Sequence, residues 1–160
     1  MPESCRQSGF TLIEVIATLA IIAVLTSIAL PLAEVSAQRK KEDALRIALR
    51  QIRDALDAYR QAGDEGKILR TAGNSGYPRN LQALVEGVED AKSPTGGKIY
   101  FLRRIPRDPT YPDLTVSAVY TWGKRSYASP PEAPKEGDDV FDVYSLSPGK
   151  GLNGVTYREW

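Results

Sequence analysis

Residues 10–33 are a run of 24 residues in which Glu14 carries the only charge. About 20 predominantly apolar residues are enough to cross a hydrocarbon core, so the run reads as a transmembrane helix. Leu, Ile, Val and Ala dominate it. Thr11, Thr18, Thr26 and Ser27 are its mildly polar members, and their hydroxyls can bond back to carbonyls of the preceding turn. Pro31 has no N–H to give and is expected to kink or loosen the helix one turn earlier. A secretory signal peptide is a poor match. Its apolar stretch is shorter, roughly 7–15 residues, and a small-residue cleavage site follows it. Here the small residue, Gly9, comes before the stretch.

Glu14 needs a reason to be there. A carboxylate at mid-bilayer costs roughly 2.5–3.5 kcal/mol on insertion scales, less near the edge. The run contains no Lys or Arg to pair with it. Cutting the chain between Gly9 and Phe10 would create an ammonium four residues before Glu14. That is i,i+4 spacing on one helix, and equally a contact that a neighbouring helix can make. Gly9 suits a cleaved bond, because it places no side chain against the extended backbone a peptidase must accept.

The segment Gly9-Phe10-Thr11-Leu12-Ile13-Glu14-Val15 at the head of an apolar run resembles the processing motif of type IV pilins and of type II secretion pseudopilins. Met1–Gly9 is a short polar leader with Arg6, as in those proteins. The resemblance implies cleavage after Gly9 by an intramembrane aspartyl prepilin peptidase, followed by N-methylation of Phe10. It also implies that Glu14 meets the Phe10 amine of an adjacent subunit during assembly, and Pro31 falls where these helices often carry proline. Cleavage would remove Cys5, the only cysteine, so no internal disulfide is available before or after it. The positive-inside rule runs against the orientation implied: only Arg6 precedes the run, whereas Arg39, Lys40 and Lys41 follow it.

From Glu34 to Ala62 the helical period continues but becomes amphipathic. Leu45, Leu49, Ile52, Leu56 and Tyr59 form a stripe flanked by Ala44, Ala48 and Ala55. Arg46, Arg50, Arg53, Asp54, Asp57 and Arg60 are expected on the outer face, with Arg50–Asp54 and Arg53–Asp57 spaced to bridge. Gly63 is the expected stop. One helix from Phe10 to Ala62 would be roughly 80 Å long at 1.5 Å per residue.

Residues 63–80 read as a loop. Residues 81–86 read as a short helix with Asn80 as cap and Gly87 as stop. Strands are expected at 99–102, 115–122, 125–128 and 140–146, with Gly123-Lys124 turning the second into the third as a hairpin. The Leu45–Tyr59 stripe is the available cover for such a sheet. The expected fold is therefore α+β: a long N-terminal helix, membrane-spanning in its first half, packed on a small antiparallel sheet. The expected divisions are leader 1–9, membrane and assembly helix 10–33, amphipathic extension 34–62 and globular domain 63–160.

Tyr77-Pro78, Leu81, Leu84-Val85, Ile105-Pro106-Arg107-Asp108-Pro109 and Phe141-Asp142-Val143-Tyr144-Ser145 before a Gly-rich tail resemble the major pseudopilins of type II secretion. That resemblance implies a structural subunit of the bacterial inner membrane, single-pass, with its C-terminal domain in the periplasm. Its partners would be the prepilin peptidase, copies of itself and other pseudopilins, the inner-membrane secretion platform and lipid. Such a filament drives export of folded proteins. The resemblance also implies calcium in the C-terminal loop, but Lys150 stands where an acid is expected and a lysine gives calcium no oxygen. Asp138, Asp139 and Asp142 carry oxygens but read as a solvated acidic loop. No metal or other cofactor is assigned.

Other functions find less support. The chain has no His, which excludes His triads and His metal sites, and no acid–base pair stands out, so it reads as no enzyme. A formal net charge of +1 gives no field for nucleic acid. Arg39–Lys41 reads as a solvated patch facing anionic headgroups. Thr95-Gly96-Gly97-Lys98 lacks the rest of a phosphate loop and reads as a turn. Trp122 and Trp160 read as packing residues. The alternative is a type IV or competence pilin binding surfaces or DNA through Arg103, Arg104 and Arg107.

Overall fold

The computed structural model describes residues 10–70 and 73–160. The leader 1–9, with Cys5, Arg6 and Gly9, lies outside the described residues. The chain divides into two units between Gln38 and Arg39. Helix α1, Leu12–Asp64, belongs to both and runs for 53 residues, through Pro31. The expected continuous helix is therefore present, and Gly63 does not end it. The stop comes three residues later. The Lys67 N–H donates to Ala62 O at 2.9 Å and the Gly66 N–H to Gly63 O at 3.0 Å. This Schellman pair needs a left-handed residue, and Gly66 has φ +70°. Gly63 stays helical beneath the Arg70 guanidinium, which donates to Arg60 O at 2.7 Å.

In the first unit the described large apolar side chains from Phe10 to Leu32 are 44–82 % exposed. Thr18, Thr26 and Ser27 donate their hydroxyls to Val15, Ile22 and Val24 carbonyls at 2.9, 2.8 and 2.7 Å. Each hydroxyl is thus satisfied within the helix, as a lipid surround demands.

In the second unit the predicted stripe is the core. Leu45, Leu49, Ile52 and Leu56 are buried with Ala48 and Ala55, against Leu81, Leu84, Trp122, Val140 and Val143. Ala44 is exposed. Helix α2, Ala83–Glu86, follows Asn80, whose Oδ1 accepts the Ala83 N–H at 3.0 Å, and it ends at Gly87.

The sheet differs from expectation. Two separate antiparallel pairs form: β1 (Val88–Glu89) with β2 (Lys98–Ile99), and β3 (Trp122–Arg125) with β4 (Asp142–Ser145). The strand expected at 99–102 ends early, because the Phe101 and Leu102 N–H groups both turn to Leu84 O, at 3.0 and 2.9 Å. The strand expected at 115–122 is replaced by an Asp113 turn and a 3-10 turn over Ala118–Thr121. Asp113 Oδ1 accepts the Thr115 N–H and O–H at 2.8 and 2.7 Å, and such local bonds compete with a ladder. Gly123-Lys124 makes no hairpin turn. Gly123 lies inside β3 opposite Tyr144, and a Cβ there would run into that ring. Residues 125–128 are therefore the end of β3 and a turn, and the loop of this hairpin is 126–141.

Candidate functional site

The site is built from the first residues of α1. Phe10 precedes the helix and is 82 % exposed. Thr11 caps it: its Oγ1 accepts the Glu14 N–H at 3.3 Å and its carbonyl accepts the Val15 N–H at 3.2 Å. Thr-x-x-Glu is the capping-box spacing, and it holds Glu14 in the first turn, where the positive helix end favours a carboxylate. The Thr11 role went unread in the sequence although the spacing carries it. The cap also corrects one expectation. The Glu14 N–H is taken by the Thr11 hydroxyl, so Phe10 stands outside the helix. Residues 10 and 14 are therefore not an i,i+4 pair within α1. Gly9 lies outside the described residues.

The remaining candidates sort by what their side chains touch. Arg39, Lys40 and Lys41 are exposed. Arg103 and Arg104 are exposed, but the Arg107 guanidinium donates to the Val116 and Asp113 carbonyls. The basic patch proposed for a DNA-binding pilin therefore loses one of its three members to loop structure. Gly97 donates its N–H to Ser93 Oγ at 3.1 Å in the β1–β2 turn, which is the turn expected of Thr95–Lys98. Trp122 is buried and donates Nε1–H to Pro106 O at 2.8 Å, and Trp160 packs beneath Arg46, 4.5 Å from its ring centroid.

The acidic loop is less solvated than its composition implies. Asp138 is exposed, but Asp139 is buried and accepts from Ser75, from Ser126 at 2.5 Å and from the Tyr127 N–H at 3.0 Å. Burial pushes this carboxyl up, and these hydrogen bonds outweigh it and hold it below its ordinary value. Asp142 pairs with Arg53 at 2.8 Å and Arg125 at 3.3 Å. Arg53 therefore turns to the sheet and not to Asp57, adding bonds to Val143 O and Trp160 O at 3.2 and 3.0 Å. Glu42 is a second residue the reading passed over. It is 5 % exposed and accepts the Leu152 N–H at 2.8 Å and the Tyr157 O–H at 3.2 Å. Its place on the face of Leu45 and Leu49, three and seven residues on, was the available signal.

Comparison with known proteins bears on the same end of the chain. The prokaryotic N-terminal methylation motif matches over residues 4–30. Type II secretion system core protein G of Klebsiella pneumoniae is 30% identical over 146 residues, covering 84% of this chain and 93% of that protein. The core protein G of Dickeya chrysanthemi is 25% identical over 156 residues, covering 93% and 94%. No solved structure matches the chain.

Proposed function

The chain belongs to the family of type II secretion system core protein G, and from that premise we propose how its N-terminal end is processed and used. It is a pseudopilin, a structural subunit and not an enzyme, anchored in the membrane by its apolar N-terminal helix. The prepilin peptidase cleaves after Gly9 and the new Phe10 amine is methylated. Residues 10–33 sit in the bacterial inner membrane with the C-terminal domain in the periplasm. Arg39, Lys40 and Lys41 then face headgroups. Working with the inner-membrane secretion platform, copies of the chain leave lipid with other pseudopilins and stack these helices into a filament that drives export of folded proteins across the outer membrane.

The energetics single out Glu14. Moving an apolar helix from lipid to protein neighbours exchanges like surfaces, so apolar burial adds little to the driving force. A lone carboxylate in the membrane costs roughly 2.5–3.5 kcal/mol, and a neighbour's ammonium in a water-poor setting removes that cost. The observation that carries the reading is Glu14 in the first turn of an exposed apolar helix, with Phe10 outside that helix. Pro31 leaves residue 27 without its usual intrahelical donor, so we place a kink or loosened turn there.

Glu14→Ala should insert and be cleaved normally while filament yield falls at least about tenfold, as removing one member of a buried pair predicts. The yield is read from sheared filaments against total mature protein. Normal yield from this variant would refute the pairing.

A further inference from the structure

Between Asp142 and Glu159 the chain carries no carboxylate, and Lys150 lies in the middle of that stretch. Calcium takes about six to eight oxygens, with carboxylates prominent among them. Several oxygens of this stretch already make hydrogen bonds within the protein. Ser145 Oγ donates to Asp108 Oδ2 at 2.5 Å and Ser147 Oγ to Thr110 O at 2.9 Å. Asn153 Oδ1 accepts the Val155 N–H at 3.1 Å. The carbonyls of Gly149, Gly151 and Val155 accept the N–H groups of Tyr157, Gly154 and Gly151, at 3.2, 2.8 and 2.8 Å. The residues present do not fit the calcium site that the resemblance implies.

A carboxylate does reach the loop, but from α1. Glu42 Oε1 accepts the Leu152 N–H and the Tyr157 O–H. Tyr157 is itself buried, edge-on to Trp160 with ring centroids 5.2 Å apart. We infer that Glu42 takes the place of a divalent cation, so that a helix carboxylate fastens the 149–157 loop and the loop closes without calcium. The chemistry is sufficient. Bonds to an ionised acceptor are the stronger kind, and the loop's three glycines make its ordering costly enough to need a fastener. The two bonds join positions 110 and 115 residues apart in the chain, so they tie the loop directly to the helix that carries the core stripe.

The test uses the full-length protein in detergent micelles, with thermal unfolding followed by tryptophan fluorescence and hydrogen exchange read on peptides spanning 149–157. Melting temperature should be the same within about 1 °C in EGTA and in about 5 mM calcium chloride, whereas a site with Kd below about 0.1 mM would raise it by several degrees. Glu42→Ala should speed exchange in 149–157 at least about tenfold in EGTA, with Glu42→Gln, which keeps an acceptor oxygen, in between. If Glu42→Ala does not fold, the Gln variant and the wild-type calcium comparison decide. A rise in melting temperature with calcium, slower loop exchange with calcium, or unchanged exchange in the folded Glu42 variants would each overturn the inference.

Discussion

Two buried carboxylates set how this chain responds to mutation and to acid. Asp108 is fully buried, and its Oδ1 accepts the Thr110 N–H and O–H at 2.7 and 2.6 Å while Oδ2 accepts Ser145. Its own N–H donates to Thr121 Oγ1 at 3.2 Å, so one residue joins the proline-rich segment, the 3-10 turn and β4. Asp108→Ala strands three donors and should lower stability by roughly 3 kcal/mol, measured by denaturant unfolding in detergent. Asp139 supplies the pH dependence. Its folded value lies below the ordinary 3.8, so its contribution is complete above that value and is lost as pH falls through the lower, folded one. Stability should therefore drop below about pH 4, and Asp139→Asn should flatten the drop while lowering stability at neutral pH. Glu14 and Pro31 stand out in the sequence, because a lone charge or a proline is conspicuous in an apolar run. Thr11 and Glu42 were not read, because each looks ordinary until its hydrogen-bond partner is known.

The elements differ in how far the sequence reveals them. The period of α1 persists over dozens of residues, and only its ends differ from expectation: Thr11 caps it so that it starts at Leu12, and hydrogen bonding to Ala62 and Gly63 selects Gly66 over Gly63 as its stop. Gly66→Ala forces a left-handed residue with a Cβ and should cost about 1 kcal/mol, read as a shift in the unfolding midpoint. The strands are two to four residues long, too short for alternation to speak. Their places are decided by distant partners, above all the Tyr144 ring over Gly123 and the Arg53–Asp142 pair. Gly123→Ala should drive a methyl into that ring and cost about 1–3 kcal/mol, and Gly123→Ala with Tyr144→Ala should recover part of it.

At the scale of the molecule, the chain joins a unit held by its own core to one whose apolar side chains stand exposed. The first is stable by the burial of Leu45, Ile52, Leu56, Trp122 and their neighbours. The N-terminal unit exposes its apolar side chains, and Glu14, the one acid of the run 10–33, has no Lys or Arg within that run. Under the proposed processing, cleavage after Gly9 would create an ammonium at residue 10, near the start of α1, for a neighbouring copy's Glu14 to meet. The intact mass of the mature protein purified from membranes tests this most directly. The account predicts the mass of residues 10–160 plus one methyl group. A mature chain that keeps residues 1–9, or that is trimmed beyond residue 33, would contradict it.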